Sequence, residues 1–225
     1  MKKKFNKALV LGGSSGLGKS IAVELKKSCK SVESFSSKDV DTANIESVKK
    51  FIKKYKSTDI IILNSGGPTP IEFKKLDEET WYKYFNQLFL SFCLILKDLK
   101  INNNGYIFYI SSSIIKEPNE TLIPSSSLRI AFSSVMKSIS KSFSKKGVSI
   151  ITIAPGPFKT KRVKMLIKDL KSYEKNLPTK KIGNPKEIGI IVNSIVQNKL
   201  KYRGLIVLLI QEIVRSSRKP WKGTP

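Results

Sequence analysis

Ala8-Leu9-Val10-Leu11-Gly12-Gly13-Ser14-Ser15-Gly16-Leu17-Gly18 decides the fold. A short, wholly apolar run ends in glycines, and Leu17, Ile21, Ala22 and Leu25 then recur at helical spacing. The pattern predicts a buried strand at Ala8–Leu11, a tight turn and a helix over Gly16–Lys27. The glycines fall as Gly12-x-x-x-Gly16-x-Gly18, which suits a turn whose backbone approaches a phosphate while the helix N-terminus faces the anion. An ordinary glycine-rich βα loop is the alternative, and the placement between strand and helix argues against it.

The same alternation continues outward. Apolar runs predict strands at Val32–Ser36, Ile60–Leu63, Tyr106–Ile110, Val148–Ala154 and Leu205–Ile210. Helices are expected at Ile45–Lys56 with Asn44 as cap, at Asp77–Lys100 as one long element, at Ser125–Lys146 and at Lys186–Asn198. Strands that are apolar throughout are buried on both faces, which predicts a parallel sheet covered by helices. The fold class is therefore α/β, a doubly wound Rossmann fold of about six to seven strands. One domain over residues 1–225 is expected, with a basic tail at about 215–225.

Composition narrows the chemistry. The chain has no histidine, which excludes Ser-His and Cys-His catalysis and His-based metal sites. Cys29 and Cys93 show no zinc-binding spacing, so no metal is expected. Lys and Arg number 42 against 17 Asp and Glu, a net charge of +25. The lysines are spread along the chain, with Lys2–Lys4 and Lys159–Lys164 among the densest runs. That reads as compositional bias rather than a nucleic-acid patch, and no RNA- or DNA-binding module is legible. Met1-Lys2-Lys3-Lys4 resembles a signal-peptide start, but the apolar stretch after it is too short. No apolar run reaches the roughly 18 residues of a membrane span. The expectation is a cytoplasmic protein with no membrane partner.

Five landmarks in order resemble the short-chain dehydrogenase/reductase family. They are the Gly12–Gly18 turn, Asn64-Ser65-Gly66-Gly67-Pro68, Ser111-Ser112-Ser113, Pro155-Gly156-x-x-x-Thr160, and Ile182-Gly183-Asn184-Pro185-Lys186-Glu187. The resemblance implies a nicotinamide dinucleotide held by Gly12, Ser14, Ser15, Gly16, Leu17 and Gly18, by Asn64, Ser65 and Gly66, and by Pro155, Gly156 and Thr160. The second strand ends Ser36-Ser37-Lys38 rather than in an acid, and hydroxyls with a cation suit a 2′-phosphate. NADP(H) is accordingly favoured and NAD(H) stays possible, since Asp39 and Asp41 follow closely. The short link from Ser36 to Ile45 implies that a helix usual in the family is missing.

The family's Tyr-x-x-x-Lys aligns with Ser125-Ser126-Ser127-Leu128-Arg129, and its catalytic serine with Ser112. The resemblance thus assigns the catalytic positions to Ser112, Ser125 and Arg129, with Arg129 also meeting the cofactor ribose. An alcohol is a far weaker acid than a phenol, and arginine shuttles no proton. The family's asparagine position falls on Leu88, with Asn86 two residues earlier. Tyr109 is read as a core tyrosine with a satisfied hydroxyl rather than a substitute acid. Gly66-Gly67-Pro68, Lys116-Glu117-Pro118 and Ser125–Arg129 are similar to a subgroup named after 3-oxoacyl-(acyl-carrier-protein) reductase, with Ser126 in place of its asparagine.

The function this implies is reduction of a small-molecule carbonyl or acyl thioester. A catalytically silent nucleotide-binding protein is the alternative. The resemblance also implies a homodimer or homotetramer, packed through the helices at Asp77–Lys100 and Ser125–Lys146. Gln211-Glu212-Ile213 replaces a family Asp-Gly-Gly near that assembly region. Lys161–Leu177, basic and carrying Met165, Leu166, Ile167 and Leu170, is expected to be a lid suited to an anionic substrate with an apolar part. A solvated helix face is an equal account of it.

Overall fold

The computed structural model describes residues 4–167, 169–177 and 179–209. Ile210, Gln211–Ile213 and the basic tail lie outside them. Six strands form one parallel sheet in the order β2-β1-β3-β4-β5-β6: β1 (Phe5–Leu11), β2 (Cys29–Phe35), β3 (Ser57–Leu63), β4 (Lys100–Ile110), β5 (Ser149–Pro155) and β6 (Arg203–Leu209). The chain leaves β1 for one edge and returns past it to β3. Strand order therefore reverses between β1 and β3, where a crevice opens at the strands' C-terminal ends.

Both faces of the sheet are buried. Leu9, Leu11, Ile61, Leu63, Ile107 and Tyr109 point to one side, against α2 (Ile45–Lys54), α4 (Ser91–Asp98) and α5 (Ile123–Ser144). Ala8, Val10, Ile60, Ile62, Tyr106 and Phe108 point to the other, against α1 (Gly16–Leu25) and α8 (Pro185–Gln197). Period-two alternation between two apolar layers explains why these strands read as unbroken hydrophobic runs.

Asn44 caps α2 as expected, its Oδ1 accepting from Glu46 N at 2.9 Å and Ser47 N at 3.2 Å. Between β2 and α2 the chain makes only turns, so the family's extra helix is absent there. The single helix expected at Asp77–Lys100 is corrected. It is α3 (Glu78–Phe85), a π-helical turn at Asn86–Leu90, then α4, and Lys100 already opens β4. A hydropathy pattern does not register one extra residue wound into a turn. Two short helices, α6 (Lys161–Leu166) and α7 (Leu170–Asn176), follow β5. No helix among the described residues is long and apolar enough to cross a membrane.

Candidate active site

The crevice at the switch point is a cleft of about 940 Å³ that runs from the glycine turn to α6 and α7. At one end the Gly12–Gly18 turn sets the backbone. Gly16 adopts φ +54°, a left-handed conformation that favours glycine, and a Cβ there would touch Thr160 Cγ2 at 3.4 Å. A Cβ on Gly18 would lie 2.1 Å from the Gly12 carbonyl oxygen, so only glycine lets α1 pack against the turn. Ser15 precedes α1 without a side-chain cap, and no acid occupies the first turn. The helix N–H groups thus remain available to an anion in the cleft. These features fit a dinucleotide pyrophosphate.

The β3 loop closes the wall opposite. Asn64 Nδ2 donates to the Gly12 carbonyl at 3.2 Å, tying the loop to the turn. Gln87, on the π-helical turn, donates from Nε2 to Ser65 Oγ at 3.1 Å and to the Gly66 carbonyl at 2.9 Å. Sequence spacing had pointed to Leu88 at this level of the helix. Leu88 is fully buried, and the π turn presents Gln87 to the loop instead. Such wider turns recur at functional sites because they re-aim side chains.

Ser112, Ser125 and Arg129 meet on the same cleft. Ser112, at the end of β4, caps a short turn, Ile114 N reaching its Oγ at 3.5 Å. Ser125 and Arg129 lie one turn apart on α5, and both are buried. Arg129 donates from Nε to Ser125 Oγ, from Nη1 to the Ile110 carbonyl and from Nη2 to the Ser65 carbonyl, each at 3.1 Å. The guanidinium therefore joins α5 to the ends of β4 and β3. A planar fork of donors can bridge three partners in this way and an ammonium cannot.

Tyr109 is buried in the core as expected, but its hydroxyl makes no hydrogen bond. Burial pushes its pKa up, and the nearby Arg129 and Ser111 oppose that. The expected satisfied hydroxyl is thus corrected: the ring packs against Phe92 and Phe132, and its oxygen lies near Ser111 and Arg129 without meeting hydrogen-bond geometry to either. Among the described residues Tyr173, on α7, is the one tyrosine that lines the cleft.

The remaining residues divide. Ser14, Ser15, Leu17, Ser37, Pro155, Gly156 and Thr160 line the cleft, whereas Gly18, Ser36 and Lys38 do not. Gly18 lies beneath the turn. Asp39 takes the Ser36 N–H at 2.8 Å and the Ser36 hydroxyl at 2.7 Å, and these bonds hold its carboxyl below the usual range. Lys38 is exposed beside Ser37. Thr160 caps α6, Val163 N reaching its Oγ1 at 3.3 Å. Arg162, which sequence reasoning passed over, lines the cleft from α6 and donates to the Pro68 carbonyl.

The model of the short chain dehydrogenase family matches residues 35–171. The chain is 25% identical over 223 residues to a 3-oxoacyl-[acyl-carrier-protein] reductase of Buchnera aphidicola, covering 87% of this chain and 91% of that one. It is 24% identical over 192 residues to the enzyme of the same name from Chlamydia muridarum, covering 82% and 77%. Its fold matches a small-chain dehydrogenase solved with NADPH at a TM-score of 0.78 and 21% identity, covering 92% of this chain and 97% of that one. A short chain dehydrogenase of Burkholderia cenocepacia, solved with NADP, superposes at a TM-score of 0.81 and 13% identity, covering 94% and 99%.

Proposed function

This chain belongs to the short-chain dehydrogenase family, and on that premise we propose that it is an NADP(H)-dependent oxidoreductase that reduces a carbonyl to an alcohol. The observation that carries this reading is the convergence of Ser112, Ser125 and Arg129 on the cleft that the glycine turn and Thr160 also line. The nicotinamide supplies the hydride when the cofactor is bound.

The chain's own residues supply the rest. The Gly12–Gly18 backbone and the α1 N-terminus hold the pyrophosphate. Asn64, Ser65 and Gly66 lie against the adenine ribose, and Ser37 with the neighbouring Lys38 receives the 2′-phosphate. Thr160 meets the carboxamide and Arg129 the nicotinamide ribose. Ser112 and Ser125 donate hydrogen bonds to the carbonyl oxygen, and the cation of Arg129 offsets the charge that develops there. The proton that ends on the product oxygen passes through Ser125, whose oxygen Arg129 Nε stabilises at 3.1 Å. The relatives named as NADPH or NADP complexes support the choice of cofactor.

The pairing of Ser125 with Arg129 also favours a second reading, a nucleotide-binding protein without catalysis, because an alcohol is a poor acid even beside a cation. Titration of the protein with NADPH and with NADH, followed by nicotinamide fluorescence, tests the first step. Binding of NADPH that is lost in Gly16→Asp supports the cofactor site, and a carbonyl screen then separates the two readings. Binding of neither nucleotide sinks both.

Tyr82, Phe85 and Ile130 are exposed on α3 and α5. They support assembly into a homodimer or homotetramer through these helices, which light scattering of the full chain tests.

A further inference from the structure

Two guanidiniums converge where the β3 loop, α5 and α6 meet. Arg129 comes from α5 and is 5% exposed. Arg162 comes from α6, is half-buried, and donates to the Pro68 carbonyl. A Cβ built on Gly67 would lie 3.3 Å from Arg162 Nη2, 3.5 Å from Ser125 Oγ and 3.7 Å from Arg129 Nη2. All three atoms therefore surround one point on the cleft wall, beside the serine assigned to the substrate oxygen.

Neither arginine makes an ion pair among the described residues, where every salt bridge involves a lysine elsewhere. Two acids line the cleft, Asp41 and Glu117, and Asp41 turns its Oδ1 to Ala43 N at 2.9 Å. Lys116 and Lys161 also line the cleft and add to its positive charge. Burial, and secondarily the charge of Arg129, push the Arg162 pKa down. Two like charges withdrawn from water with no counter-ion are costly. An anion between them removes that cost, and a guanidinium fork matches a carboxylate in two parallel hydrogen bonds. Arg162 has donors to spare, since its one bond above goes to Pro68 and the group carries five N–H.

The phosphates of a dinucleotide are accounted for elsewhere. The pyrophosphate belongs to the glycine turn and the 2′-phosphate to the Ser37 edge, whereas Gly67 and Arg162 lie on the Ser125 side. Leu166 and Ile167, on the lid beyond Arg162, give that side an apolar wall.

We propose that Arg162, together with Arg129, binds the free carboxylate of the substrate, which is an oxo acid with an apolar chain rather than a carrier-bound thioester. The proposal rests on the reductase reading for the word substrate. The anion site itself does not depend on it.

The test is calorimetric titration of the full chain with 2-oxohexanoate and with 3-oxohexanoate, each against its methyl ester, which keeps the ketone and removes the charge. At least one acid is expected to bind about tenfold tighter than its ester, the loss typical of one charge-assisted pair. Arg162→Gln is expected to erase that gap, and Arg162→Lys to restore part of it, because an ammonium keeps the charge and loses the fork. Equal binding of acid and ester, or no binding of either acid, overturns the proposal. So does an Arg162→Gln variant that weakens acid and ester alike, which is what a residue that only clasps the lid to Pro68 would do. Should Arg162→Gln fail to fold by circular dichroism, the gap in wild type and its narrowing in Arg162→Lys decide the matter. NADPH titration runs in parallel. An acid–ester gap without NADPH binding leaves the anion site standing and ends the reductase reading; NADPH binding without a gap does the reverse.

Discussion

Arg129 Nε donates to Ser125 Oγ at 3.1 Å, and the same guanidinium reaches the carbonyls of Ile110 and Ser65. One side chain thus sets the serine and fixes α5 to two strand ends. Arg129→Ala is expected to cost about 3 kcal/mol of folding stability, because the buried Ile110 carbonyl and the part-buried Ser65 carbonyl lose their donor and a void opens. Arg129→Lys keeps the charge but reaches fewer partners and should fall between the two. Urea denaturation of the three proteins checks the order. An alanine variant as stable as wild type would mean the bridge is not formed.

Proton delivery separates two candidates. Ser125 is buried beside a cation, while Tyr173 lines the cleft from α7. Ser125→Ala should lower kcat by roughly a hundredfold, the scale of one positioned general acid. Tyr173→Phe should stay within about threefold, a loss of under 1 kcal/mol. Steady-state kinetics on whichever carbonyl the screen yields reads both. The opposite order would transfer the role to Tyr173.

The Tyr109 hydroxyl is buried with no hydrogen bond. An unsatisfied buried hydroxyl costs about 1–3 kcal/mol, so Tyr109→Phe should leave stability unchanged or raise it by about 1 kcal/mol. Chemical denaturation at neutral pH measures this. A clear loss of stability would show that the phenol is bonded after all.

Alkaline behaviour centres on Tyr55, whose phenol donates to Glu33 Oε2 at 2.8 Å. Burial first, and Glu33 second, push its pKa from 10.0 up to about 12. A raised folded pKa means a contribution fully present below pH 10.0 and lost as pH climbs through about 12. The stability difference between wild type and Tyr55→Phe should therefore narrow across that window. Thermal melts of both proteins at stepped pH give the result, and a constant difference would deny the coupling.

Much of this was readable from sequence, for local reasons. Gly12, Gly16 and Gly18 announce their turn because conformation and close approach demand glycine there. Ala8–Leu11 and Ile60–Leu63 read as strands because both of their faces are buried. Ser112 falls on the cleft because it follows β4 by two residues, and Ser125 and Arg129 because they lie one turn apart near the start of α5, whose Arg129 side chain reaches the carbonyls of Ile110 and Ser65. Arg162 was passed over because its meaning is not local: it reaches Pro68 across 94 residues and lies beside an arginine from another helix. Gln87 was hidden by the π turn, since helical periodicity assumes that each residue advances by the same angle. Ser36-Ser37-Lys38 suits a 2′-phosphate in sequence, whereas only the fold shows that the Ser36 hydroxyl donates to Asp39 and that Ser37 alone of the three lines the cleft.

That π turn is a slack loop of one residue held inside a helix, with Ser91 N reaching back to the Asn86 carbonyl. Deleting a single residue from Asn86–Leu90 would let the helix close into ordinary α winding, which is the better-bonded form. Because the wide turn absorbs the extra residue, the flanking helical segments would keep their places and only the side chains within the turn would be re-aimed. Gln87 would swing off Ser65 and Gly66, and the loop that Asn64 ties to the glycine turn would lose its second brace. The extra residue is thus a length the protein keeps at the expense of helix quality, and a shorter, tighter helix would make a sturdier scaffold around a looser site.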